Sequence, residues 1–149
     1  MVSTKTGDFA CALDDKGRMI LPAKVRAELP DGQLVVTKSV EPCLWLFTMQ
    51  DWDSVSSDII GRSSLWDEDS RYLVRWVISP AQTIEIDRTG RIVIPQTLRE
   101  YAGLSKDARL LWMMSSMELW DAEKLGTNLE VARSRAREVM QKGPRRPPP

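Results

Sequence analysis

Leu13–Pro22 reads LDDKGRMILP and Ile86–Pro95 reads IDRTGRIVIP. Aligned without gaps, Asp14–Leu29 and Asp87–Ala102 are identical at Asp14/Asp87, Gly17/Gly90, Arg18/Arg91, Pro22/Pro95 and Arg26/Arg99. Apolar residues face one another at Met19/Ile92, Ile20/Val93, Leu21/Ile94 and Val25/Leu98. A repeat constrains a fold more than any single motif, because each copy must form the same unit and bury its apolar face against something.

Each copy predicts the same local structure. FACAL and QTIEI are strand-like runs, Gly17 and Gly90 can take the positive φ of a tight turn, and RMIL and RIVI follow as return strands. The expectation is therefore a β-hairpin with a polar tip in each copy. Pro22 and Pro95 lack the N–H that a sheet ladder needs but suit the first turn of a helix, so AKVRAEL and QTLREYAGL predict short helices, with Gly103 as a C-terminal stop. Two further apolar runs close each copy: LVV and CLWLF in the first, RLLWMM and MELW in the second, each pair reading as a hairpin.

A unit of roughly 45 residues is near the lower limit at which a core sustains itself. Two units must share one, and pseudo-twofold pairing of the copies accounts for the repetition. The expected fold class is α+β, mainly β with short helices: two tandem β-α-β units around one core. The expected division is 8–55 for the first unit, 56–80 for a helical linker, 81–126 for the second unit and 127–149 for a C-terminal helix and a disordered Pro/Arg tail, GPRRPPP. In the linker, Asp67–Ser79 predicts a helix with Tyr72, Leu73, Trp76 and Val77 on its apolar face, and Asp51–Ile60 predicts another. Beyond Asp121 a helix towards Met140 carries Arg133, Arg135 and Arg137, expected to form a solvated face.

Composition narrows the function classes. Histidine is absent, which removes Ser-His and Cys-His nucleophile pairs and imidazole metal sites; Gly-rich phosphate loops and the GxSxG elbow are missing too. Cys11 and Cys43 lack metal-ligand spacing and are expected to be buried small hydrophobes. The adjacent Asp14 and Asp15 point apart in a strand-to-turn passage, so acid-base work by that pair is not expected. No enzyme activity, cofactor, metal or small-molecule substrate is expected. No run approaches the length of a membrane span and no apolar signal segment opens the chain, so the expected location is cytoplasmic, with no membrane partner. The six Trp are expected in the core or at subunit contacts. Charge is balanced at 21 basic and 21 acidic residues, whereas residues 81–149 carry twelve basic and nine acidic. Strong overall basicity, the common mark of a nucleic-acid binder, is missing.

LDDKGRMILPAKVRAEL and IDRTGRIVIPQTLREYAGL, with SRYLVRWVISPA before the second, resemble the MraZ family, the duplicated member of the AbrB/SpoVT swapped-hairpin superfamily. The resemblance spans about residues 5–125, and the doubled D-x-x-x-R signature makes it specific. It implies swapped hairpins and a transcriptional regulator that binds double-stranded DNA at short promoter repeats of the division and cell-wall gene cluster. It also implies nucleoid association and assembly of homo-oligomers into closed rings. The Arg of the signature is implicated in DNA contact, which carries over here to Arg18 and Arg91.

An Arg placed one residue after a turn glycine sits at a hairpin tip, where its planar fork can bind phosphate or take guanine bidentately. Asp14 and Asp87, across the same turns, can accept the fork or turn N–H groups and orient the donor. Lys16 in the first tip and Arg88 in the second are further candidate DNA contacts. The plainer alternative is that each Asp and Arg only closes its own turn, as an exposed pair of little energetic worth. Arg26 and Arg99, on the following helices, are expected to pair with acids or cap a shared surface. A protein-interaction scaffold or antitoxin-like module of the same fold is the competing function.

Overall fold

The computed structural model describes residues 5–143. In chain order the first copy contributes β1 (Thr6–Ala12), β2 (Arg18–Ile20), α1 (Ala23–Arg26), β3 (Gln33–Lys38) and β4 (Leu44–Phe47). Two helices follow, α2 (Met49–Arg62) and α3 (Glu68–Leu73), the latter running into a π-helical turn at Val74–Ile78. The second copy supplies β5 (Gln82–Glu85), β6 (Arg91–Val93), α4 (Gln96–Ala102), β7 (Asp107–Met113) and β8 (Ser116–Asp121), before α5 (Ala122–Lys142).

Six strands form one antiparallel sheet in the order β1-β7-β8-β4-β3-β5, and β2 pairs with β6 in a separate two-stranded ribbon. Exchanging the two copies reverses the six-strand order onto itself, which is the pseudo-twofold that the repeat implies. The hairpins β3–β4 and β7–β8 form as expected and meet where β4 pairs with β8. Each outer strand belongs to the opposite copy: β1 lies on β7 and β5 on β3.

This crossing corrects the expectation of a self-contained hairpin in each copy and agrees with the swapped arrangement implied by the resemblance. The tip turns do close locally, since the Asp14 N–H donates to the Arg18 carbonyl at 3.0 Å and the Asp87 N–H to that of Arg91 at 2.9 Å. The ladders do not. Arg18, Met19 and Ile20 pair with Val93, Ile92 and Arg91, and the ribbon is extended by Leu21 N–H to the Gly90 carbonyl and Ile94 N–H to the Gly17 carbonyl, both 2.9 Å. A hairpin with a three-residue return strand is marginal alone. Pairing across the copies places Met19 against Ile92 and buries both almost completely.

One apolar cluster joins the copies. It holds Met19, Leu21, Val25 and Leu29 together with their repeat counterparts Ile92, Ile94, Leu98 and Ala102, each no more than 6% exposed. Pro22 and Pro95 stand just before their helices in extended conformation, one residue earlier than the sequence suggests. Gly103 ends α4 at φ 60°, as expected. The first copy has Pro30 at that place, and α1 keeps only four helical residues before the chain tightens into turns.

The linker helices start from side-chain caps: Thr48 accepts the Asp51 N–H and Asp67 accepts the Ser70 N–H. The π turn alters the phase of the expected apolar face, so Val77 is fully buried while Tyr72, Leu73 and Trp76 remain 40–56% exposed. Docking of this turn on the sheet is polar as well as apolar. The Thr37 hydroxyl donates to the Val77 carbonyl at 2.6 Å, and the Trp76 indole and the Tyr101 hydroxyl both donate to the Ser39 carbonyl. Cys43 is fully buried but Cys11 only partly so, and burial pushes both thiols up, to about 12 and about 11. Trp112 and Trp120 lie in the interior, whereas Trp66 is 91% exposed. From α5 only Leu125 is buried, and Arg133, Arg135 and Arg137 are solvent-facing as expected. Of the Pro/Arg tail, residues 144–149 lie outside the described residues.

Candidate nucleic-acid interface

The site is built on the ribbon. Alternation puts i and i+2 on one face, and directly opposed residues of an antiparallel pair share that face. Met19 and Ile92 point into the core, so Arg18, Ile20, Arg91 and Val93 all lie on the outer face. The Arg18 side chain is 41% exposed and that of Arg91 45%. Between them Ile20 and Val93 are 59% and 50% exposed, although the repeat alone groups them with the core pairs.

Each arginine is held by the aspartate four residues earlier. Asp14 Oδ2 accepts Arg18 Nε at 2.6 Å, while its Oδ1 accepts the backbone N–H groups of Lys16 at 3.0 Å and Arg18 at 2.9 Å. Asp87 does the same with Arg91 Nε at 2.9 Å and the N–H groups of Thr89 and Arg91, and also accepts the Thr89 hydroxyl at 2.7 Å. Both carboxyls are thereby held below the ordinary range. The Arg18 backbone N–H is the main cause for Asp14; for Asp87 it is the Arg91 N–H, followed by the Thr89 hydroxyl. Only Nε of each guanidinium is used in this way. Among the described residues the Nη groups of Arg18 and Arg91 meet no hydrogen-bond acceptor, which leaves the outer edge of each fork for a ligand.

Gly17 and Gly90 adopt φ of 81° and 84°, and a second constraint falls on them. The side chain of Arg99 lies against Gly17 and that of Arg26 against Gly90, so a Cβ at either glycine would displace the guanidinium of the opposite copy. Arg99 Nε donates to the Ile94 carbonyl at 3.0 Å and its Nη1 to the Asp15 carbonyl at 3.3 Å; Arg26 Nη1 donates to the Thr89 carbonyl at 3.4 Å. Among the described residues neither pairs with an acid. They cap the tips across the pseudo-twofold, which is the shared-surface half of the expectation.

Arg18, Arg91 and Arg99 line one open concavity of about 770 Å³ together with Lys106, Ile20 and Asp15. Lys16 and Arg88 are exposed on the tips, outside that lining. Sequence reasoning missed Lys106, Ile20 and Val93. The strict two-residue period of the ribbon was the available signal for the last two, once the facing of Met19 and Ile92 is known.

The family profile described as "MraZ protein, putative antitoxin-like" matches residues 5–75 and 77–134. The chain belongs to the MraZ family. Among its relatives, the transcriptional regulator MraZ of Treponema denticola is 49% identical over 119 residues, covering 80% of this chain and 83% of that protein. The protein of the same name from Treponema pallidum is 47% identical over 78% of each chain. That of Thermomicrobium roseum is 35% identical over 91% of this chain and 94% of its own. The name MraZ thus goes with transcriptional regulation, a role without enzymatic chemistry. Among the described residues no helix is long and apolar enough to cross a membrane.

Proposed function

We propose that this chain is a sequence-specific DNA-binding transcriptional regulator whose two-stranded ribbon enters the major groove. The observation that carries the reading is that Arg18 and Arg91 share the exposed face of one ribbon with their Nη groups unengaged among the described residues. A two-stranded ribbon fits the major groove, an Arg fork matches guanine O6 and N7, and apolar side chains such as Ile20 and Val93 suit thymine methyls. Lys16 and Arg88, on the tips, supply phosphate contacts. The aspartates fix the donors, as preorganised recognition requires.

The resemblance supports a finer statement: short repeats in the promoter of the division and cell-wall gene cluster as the target, nucleoid association, and a closed ring of subunits. The neutral charge of the chain fits that reading, because a ring needs few phosphate contacts per subunit and gains affinity through linked sites. Leu65 and Trp66, 75% and 91% exposed on the loop between α2 and α3, are the apolar surface that a neighbouring subunit would cover. The division into units 8–55 and 81–126, with a linker and a C-terminal segment, is retained in this proposal.

Titration of duplex DNA from upstream of the chain's own gene, at several salt concentrations, tests it. Affinity should fall steeply with salt, each neutralised phosphate adding about −0.9 to the log-log slope. A flat response, or indifference to Arg18→Ala, would favour the scaffold or antitoxin-like reading instead.

A further inference from the structure

We propose that Arg26 and Arg99 are positioning residues that act crosswise, the helix of each copy locking the recognition tip of the other. This deepens the DNA-binding reading and rests on it for its effect on affinity. Each tip is a short turn at the end of a three-residue strand; beyond the bonds within the turn, other backbone holds it, among the described residues, only where the Gly17 carbonyl accepts the Ile94 N–H and the Gly90 carbonyl the Leu21 N–H. What ties the tip to the body is supplied from outside. Arg99 bridges two carbonyls, Ile94 just before its own helix and Asp15 in the first tip, while its side chain fills the place beside Gly17 that a Cβ would occupy. A guanidinium suits that task because it stays protonated and presents its donors in a rigid plane. Arg18 follows Gly17 directly, so a shift of the Asp15–Gly17 backbone displaces the fork that reads DNA. Arg26 repeats the arrangement on the second tip with a single, longer bond to Thr89 and the same approach to Gly90, ahead of Arg91.

The pattern of coupling is therefore crossed. Arg99 couples to Arg18 and Arg26 to Arg91, although Arg99 and Arg91 lie eight positions apart and Arg99 and Arg18 lie in different copies. The consequence for specificity is that neither copy can present its arginine without the other's helix, so the duplicated chain reads DNA as one device.

Double-mutant cycles on the full chain test this with the same upstream duplex. Arg99→Ala should weaken binding about three- to tenfold, the range that one or two net hydrogen bonds are worth. It should add little to the loss already caused by Arg18→Ala, yet multiply the loss caused by Arg91→Ala. Arg26→Ala should show the reverse pairing with a smaller effect. The salt slope should be unchanged in Arg99→Ala. Arg99→Lys, which keeps the charge but not the two-carbonyl bridge, should fail to restore affinity. In the absence of DNA, amide hydrogen exchange at Lys16, Gly17 and Arg18 should speed up in both Arg99 variants while that at Thr89–Arg91 stays as in wild type. The exchange arm does not depend on DNA binding, so it stands or fails separately from the proposed function. Should Arg99→Ala not fold, the Lys variant carries both readouts. Equal coupling to Arg18 and Arg91, a slope reduced by about 0.9, rescue by Lys, or unaltered exchange would each overturn the proposal; the slope change would instead mark Arg99 as a phosphate contact.

Discussion

The two turn tips share a backbone and differ in charge. Asp14-Asp15-Lys16-Gly17-Arg18 is electrically neutral, whereas Asp87-Arg88-Thr89-Gly90-Arg91 carries one net positive charge, because Arg88 stands where the first copy has Asp15 and Thr89 where it has Lys16. The frames are alike: the same carboxylate grip on backbone N–H groups, the same left-handed glycine, the same arginine from the opposite helix. The second tip adds the Thr89 hydroxyl to its carboxylate, and the first is tied to the opposite helix by the better of the two arginine contacts. Duplication has thus kept the geometry that aims a guanidinium and let the surrounding charge diverge. Under the proposed function, the first tip, with less general attraction for phosphate, depends more on where its Arg18 is aimed.

The largest effect should separate the two arginines. Arg18→Ala is expected to weaken binding to the upstream duplex roughly ten- to a hundredfold, the worth of one good bidentate base contact. Arg91→Ala should cost less and act more evenly across sequences. Equal and equally sequence-dependent losses, measured by fluorescence anisotropy on matched and scrambled duplexes, would erase the distinction.

Adding positive charge to the first tip should act in the opposite direction. Asp15→Arg places in the first tip the arginine that the second has at Arg88 and raises its net charge from zero to +2, so binding at low salt should strengthen and the log-log salt slope should steepen by about 0.9. An unchanged slope would mean that the tip backbone does not approach phosphate.

Acid should loosen the tips in sequence. Both carboxyls are lowered in the folded protein, so their grip is complete above the ordinary carboxylate pKa of about 3.9 and is lost as pH falls through the depressed values. The tips therefore contribute no pH dependence between about 5 and 8. The first tip should release before the second, whose carboxylate also accepts the Thr89 hydroxyl and is lowered further. NMR titration of the Arg18 and Arg91 amides checks the order, and coincident transitions would contradict it.

The smallest effect concerns the apolar pair between the arginines. Replacing thymine by deoxyuridine in the bound repeat removes one methyl and should weaken binding about threefold, as the burial of a single carbon predicts. In Ile20→Ala that sensitivity should shrink, with Val93→Ala as the comparison for the other strand.

Much of this architecture is written in the residue pattern. The repeat required two like units, the glycines fixed the turns, and the period-four spacing of Val25 with Leu29 and of Leu98 with Ala102 marked the buried helix faces. The family signature placed an arginine at each tip. These are local properties, set by backbone conformation and by side-chain periodicity within a dozen residues.

Partner choice was not local. Nothing in FACAL or RMIL says whether the two pair with each other or with the other copy, because both arrangements satisfy the same alternation; burying Met19 on Ile92 decides it. The same crossing turned Ile20 and Val93 outward beside the arginines and brought Arg99 to the tip that holds Arg18. A chain can specify how each piece bends by itself, but which pieces meet depends on the apolar area that only the assembled pair removes from water.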